Sequence, residues 1–135
     1  MKPKIYLSLL LAACCFLNGF SQESKTAETC KPYLDSMRTE MTIEDALKWA
    51  DSAPIRVSCD DGKIYTLLKF DISIFTKKPL QTREFGTGEK GGIPILAYKA
   101  IENGKPGDTV ILKNTVYLDA ERKEQKLPVI SFVLK

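Results

Sequence analysis

The segment IYTLLKFDISIF, from Ile64 to Phe75, decides the fold class of this 135-residue chain. Leu68, Phe70, Ile72 and Ile74 alternate with Lys69, Asp71 and Ser73. A period of two places one set on each face of an extended strand, whereas a helix would spread these residues around its circumference. The device returns from Leu127 to Leu134, where Ile130, Phe132 and Leu134 are set against Ser131 and Lys135. Two such faces can bury each other. The pattern predicts a mainly β fold: a small β-sandwich-like antiparallel domain with a short helix between strands and an N-terminal helical appendage.

Working outward, residues 1–21 read as an export signal. Lys2 and Lys4 precede an apolar run from Ile5 to Phe20, and Gly19 and Ser21 suit positions −3 and −1 of a cleavage site before Gln22. A rival reading takes Leu11-Ala12-Ala13-Cys14 as a lipobox, with a lipid on Cys14 and a membrane tether. Ordinary cleavage is preferred because Cys15 to Phe20 continue the apolar run, where a lipoprotein turns polar after its cysteine. The same run is short for a membrane span. Residues 22–53 then form a polar lead-in and the helical appendage, and 54–135 form the β-domain. Of the 20 basic residues, Lys2 and Lys4 leave with the signal, so one more base than the 17 acids remains. That balance predicts no nucleic-acid partner, and a membrane partner only if Cys14 is lipidated. The expected location is exported, periplasmic or secreted.

Cys30 and Cys59 are the cysteines left after the signal. In an oxidising compartment an isolated pair reads as a disulfide, closing a loop of about 28 residues and contributing roughly 3 kcal/mol in the chain-entropy model. Two free thiols are the alternative.

Between the strands the signals are local. Cys30 to Met41 suggests a helical turn or two, with Tyr33, Leu34 and Met37 near one face. Thr42 can cap a helix to Ser52, with Ile43, Ala46, Leu47 and Ala50 as its apolar stripe, and Pro54 ends it. Trp49 is read as core cover in preference to a ligand-stacking platform. Ile55 to Cys59 is a short strand, and Asp60-Asp61-Gly62 reads as a tight hairpin turn. A calcium loop starting there lacks its later ligands. Leu80 to Phe85 is a further strand. Ile95 to Asn103 is a short helix stopped by Gly104 as its left-handed cap. Lys105-Pro106-Gly107-Asp108 reads as a type II turn leading into a strand over Thr109 to Leu118. Asp119 to Lys126 reads as a charged reversal.

The chain has no histidine. Ser-His-Asp and Cys-His catalysis and histidine metal sites are therefore excluded, and the expectation is a non-enzyme without cofactor or metal. Glu40 with Glu44, and Asp119 with Glu121, read as surface charge rather than acid and base. Gly86 to Gly91 spells G-x-G-x-x-G, but without a βαβ context it reads as a flexible surface loop. Gly86, Gly88, Lys90 and Gly91 are the candidate interaction loop, with Tyr65 and Tyr117 as candidate exposed aromatics.

Two blocks carry a family resemblance. One is Pro54 to Tyr65 (PIRVSCDDGKIY) running on to Phe70-Asp71-Ile72-Ser73-Ile74-Phe75; the other is Gly104 to Leu112 (GKPGDTVIL), closing in Lys126 to Phe132 (KLPVISF). Their order resembles the C-terminal β-domain of the GldM/PorM family of gliding-motility and type IX secretion proteins, over about Ala53 to Lys135. In that family such domains form a periplasmic shaft, assemble as dimers and contact an outer-membrane ring. The sequence shows neither the family's inner-membrane helix nor its long helical region. The resemblance therefore implies the module alone: an exported β-domain of the cell envelope that binds protein partners or its own copies. No functional residue carries over, since the shared positions read as core and turns. A free-standing secreted binding or inhibitor protein is the second expectation.

Overall fold

A computed structural model of the chain describes residues 28–34, 40–88 and 91–135. The signal peptide with Cys14, the lead-in through 27, Met37 and Lys90 lie outside the described residues. The elements run β1 (Cys30–Pro32), β2 (Glu40–Met41), α1 (Ile43–Asp51), β3 (Arg56–Cys59), β4 (Ile64–Lys77), β5 (Leu80–Phe85), α2 (Ile95–Glu102), β6 (Thr109–Leu118), β7 (Glu124–Lys126) and β8 (Ile130–Leu134). The fold is mainly β, with two short helices among the described residues.

The strands form one curled sheet in the order β1-β3-β4-β6-β8-β2, with β5 also on β4 and β7 also on β6. The expected pair of opposed antiparallel sheets is thereby corrected. β6 pairs with β4 along most of its length and with β8 on its other edge, so the two alternating segments lie in the same sheet, one strand apart. Their apolar faces meet because the sheet curls, and the helices fill the concave side. The pairing is also mixed, since β2 runs parallel to β8.

The core joins Phe70, Ile72 and Ile74 of β4 to Val110 and Leu112 of β6, to Ile130, Phe132 and Leu134 of β8, and to residues of both helices. Each such side chain, fully buried, contributes about 1.5–3 kcal/mol of transfer free energy. Leu68 was expected on this face and is not there. It is 42 % exposed, while its neighbour Leu67 is 2 % exposed. The β4–β6 register slips between Leu67 and Lys69 and again between Lys69 and Asp71. An inserted residue exchanges the faces of a strand. The alternation is therefore read in one phase before the slip and in the other after it.

The N-terminal region departs from the helical turns expected over Cys30 to Met41. Cys30–Pro32 pairs antiparallel with β3, placing Cys30 directly opposite Cys59, and the two are joined in a disulfide. Strand pairing and the crosslink outweigh a weak helical period. The bond is consistent with an oxidising, extracytoplasmic location. The cap of α1 is as expected, with Thr42 Oγ1 accepting from Asp45 N at 3.1 Å. The helix does not stand apart as an appendage: Ala46, Trp49 and Ala50 are core residues. The Trp49 ring meets Phe132 edge-on at 5.3 Å, and its Nε1 donates to the Arg56 carbonyl at 3.3 Å.

Turn chemistry fixes the ends of the long strands. Asp60, Asp61 and Gly62 make the expected hairpin turn as a three-residue loop. Gly62 N donates to Cys59 O, Cys59 N donates to Lys63 O, and only Gly62 of the three has positive φ. That is a type I turn followed by a left-handed residue. Lys105 to Asp108 is the expected type II turn, with Gly107 at φ 95 and Asp108 N donating to Lys105 O at 3.0 Å. It also ties down the last strand, because Gly107 N donates to Leu134 O and Leu134 N to Asp108 O. Gly104 does not take the left-handed conformation expected of it. A Cβ there would lie 2.6 Å from Leu134 Cδ1 and 2.9 Å from the Ile101 carbonyl oxygen, and the backbone contact is the one that favours glycine. Part of the expected charged reversal, Glu124–Lys126, is β7, and β8 starts only at Ile130.

Candidate functional site

Beyond the packed core, the concave face continues into a groove at the end of the sheet built by β3, the first half of β4 and the end of β6. In the ladders Val57 lies opposite Tyr65, and Leu67 opposite Tyr117. Opposite residues share a face, so both tyrosines extend the buried Val57 and Leu67 outward. The two rings sit diagonally across β4 and β6, with centroids 4.5 Å apart and planes at 55°. Ile64, Leu68 and Leu118 add exposed aliphatic surface at 49 %, 42 % and 46 %. Together these residues line a groove of about 1090 Å³ with Pro54, Gly88 and Gly91.

Two hairpin loops frame this end. In the β3–β4 loop, Asp61 accepts from Lys63 N at 2.9 Å and from the Tyr65 hydroxyl. The tyrosine hydrogen bond, then the backbone N–H, hold the Asp61 carboxyl below its ordinary pKa. The same bond to Asp61, aided by burial, pushes Tyr65 up to about 12. In the β6–β7 loop, Asp119 accepts from Glu121 N and Lys123 N, both at 2.9 Å, and from Gln125 Nε2 at 3.1 Å. Those donors, the Lys123 N–H foremost, lower its pKa. Both loop carboxylates thus stay ionised while they fix the backbone that carries the tyrosines.

The glycine segment was expected to be a flexible surface loop, but its described residues are tied to the sheet. Thr87 Oγ1 accepts from Phe70 N at 2.8 Å and donates to Phe70 O. Ile55 N donates to Gly91 O at 3.0 Å, Leu67 N to Ile55 O at 2.8 Å, and Gly88 N to Gly92 O at 2.9 Å. Gly91 has φ 71, and a Cβ on it would lie 2.7 Å from Leu67 O. The segment therefore closes the gap beside β4 where β3 has ended and β5 has not yet paired, and close backbone approach is what its glycines allow.

Of the expected interaction residues, Gly88 and Gly91 join Tyr65 and Tyr117 at one groove. Gly86 does not; it lies by a smaller cleft with Asp71, Glu84, Lys113 and Asn114. Ile64, Leu68 and Leu118 were not expected here. The Leu67-Leu68 doublet, which interrupts the alternation, is the sequence signal that would have found Leu68. Of the acidic pairs, Glu44 binds Lys48 at 3.0 Å on α1, while Asp119 holds its turn at the edge of the groove and Glu121 pairs with Lys123 at 3.4 Å. Among the described residues, no helix is long and apolar enough to cross a membrane, and no cluster of three or more acidic or cysteine side chains is placed to hold a metal. No protein-family model matches the chain, and no curated protein is significantly similar to it.

Proposed function

We propose that this chain is an exported, non-catalytic protein-binding module of the bacterial cell envelope, similar in role to the GldM/PorM C-terminal β-domain, and that the Tyr65–Tyr117 groove is its binding surface. One observation carries the reading. Two tyrosines in ring contact and three part-exposed aliphatic residues line one groove, at the end of a sheet whose inner face is buried core over the second half of β4 and over β8. Tyrosine is enriched where proteins meet, because its ring supplies apolar area while its hydroxyl stays hydrogen-bonded. Tyr65 fits that description, since Asp61 holds its hydroxyl.

The test is site-specific photocrosslinking in the native cell. A crosslinking residue at Leu118 should yield discrete protein adducts in the envelope fraction, and one at Glu44, on the outer face of α1, should not. Equal yields at both positions, or a free monomer without envelope association, would overturn the proposal. Recovery of adducts from the culture medium instead would favour the secreted binding protein.

A further inference from the structure

A second surface, made by different residues, lies where β5 meets α2. Among the described residues β5 pairs with β4 alone, so its outer edge carries no ladder. Arg83 lies opposite Ile74 and Phe85 opposite Ile72, which turns both toward the concave side. Above them stand Leu96 and Lys99 of α2 and its C-cap residue Asn103, spaced as one helix face. These residues and Ala100 line a cleft of about 320 Å³. Phe85, Leu96 and Ala100 are its apolar lining. Two cations, Arg83 and Lys99, also line it and no carboxylate does. Neither Arg83 nor Lys99 makes a salt bridge among the described residues.

We infer that the β5 edge receives an extended segment of a partner protein as an added strand, and that the segment carries an apolar and an acidic residue two positions apart. An unpaired edge offers backbone hydrogen bonds to any extended chain, and side chains of the incoming strand supply the selection. Residues two apart in that strand point to the same side. An apolar side chain reaching Phe85 and Leu96 therefore carries a carboxylate at the next same-side position toward Arg83 and Lys99. Charge decides against a second copy as the occupant. The concave-side residues of β5 itself are Gln81, Arg83 and Phe85, so two copies paired about a two-fold axis would bring their arginines opposite or next to each other on that side and supply no acid to either. The proposal rests on the same view of the chain as a binding module, but not on the tyrosine groove, so either can fail alone.

The test uses the disulfide-bonded protein, isotope-labelled, and a peptide repeating Val-Thr-Glu-Thr. Expected are amide shifts and slowed exchange over Leu80 to Phe85, with shifts at Leu96 and Lys99. Affinity should fall roughly tenfold for Arg83→Glu, and more for Arg83→Glu with Lys99→Glu. A peptide repeating Val-Thr-Lys-Thr should bind the double variant better than the parent. Methylating the backbone nitrogens of the acidic peptide should abolish binding. Equal binding of the acidic and basic peptides by the parent protein would overturn the inference. So would binding that survives N-methylation, shifts confined to Tyr65 and Tyr117, or a dimer formed through β5 that excludes the peptide.

Discussion

The two halves of β4 share one strand and have opposite fates. From Phe70 onward, Phe70, Ile72 and Ile74 are sealed into the core, with β6 on one edge of the strand and β5 on the other. Before the register slip, Leu67 alone of the residues from Ile64 to Lys69 is buried, while Ile64 and Leu68 are open to solvent and Tyr65 is half-buried. Each half carries four apolar or aromatic residues: Ile64, Tyr65, Leu67 and Leu68 in the first, Phe70, Ile72, Ile74 and Phe75 in the second. The difference is what covers them: two helices and β8 over the second half, a groove over the first. Apolar content therefore marks core in one half and contact surface in the other, and the slip at Leu68 and Lys69 divides them.

The sharpest way to break this contrast is to delete one large apolar side chain from each half. Phe70→Ala, at a residue 1 % exposed, should cost about 3–5 kcal/mol in urea unfolding, from lost transfer energy and the cavity left behind. Leu68→Ala, two residues away, should stay within about 0.5 kcal/mol of the parent, as surface substitutions do. A Leu68 variant as damaging as the Phe70 variant would mean that the first half is core after all.

Next in size is the junction itself. Gly91→Ala must hold a side chain at φ 71 and push a Cβ against the Leu67 carbonyl, neither of which can yield without moving the backbone. A left-handed non-glycine residue costs about 1–3 kcal/mol before any clash is added. Gly86→Ala meets no atom within 4 Å and has no positive φ, so it should be close to neutral. Thermal unfolding of the pair separates a glycine needed for close approach from one that is merely permitted. Equal melting temperatures would show that the glycine segment does not hold the two halves together.

The extent to which the chain was legible from its residues follows the same division. The second half of β4, β8, α1 with its Thr42 cap and the Lys105–Asp108 turn were readable because period or turn chemistry is local there. The face of Leu68 was not, because a bulge shows only in the pairing of β4 with a strand some forty residues later. Cys30 to Pro32 misled for a similar reason: three residues have too little period to reveal a strand, and it is Cys59, far along the chain, that holds them extended. The site was half visible. Tyr65, Tyr117, Gly88 and Gly91 stood out as residue types, but only the β3–β4–β6 ladders bring them to one groove.

The smallest effect tests how the first half is held once the core no longer reaches it. Tyr65 keeps its proton to about pH 12 because Asp61 accepts its hydrogen bond. In the unfolded chain the tyrosine ionises near its ordinary value of 10.0, so between those limits the unfolded form has lost a proton that the folded form retains. Stability contributed by this pair is accordingly present below pH 10 and is lost as the pH rises toward 12. At the acidic end the sign reverses: the lowered Asp61 carboxyl favours the fold above its ordinary pKa of 3.8, and that contribution fades as the pH falls. In ultraviolet titration of the folded protein, Asp61→Asn should bring the late tyrosine step back toward 10. Phe70→Leu, in the second half, should leave it in place. If the step stays late in Asp61→Asn, burial rather than the hairpin carboxylate protects Tyr65, and the groove is more closed than its exposed leucines imply.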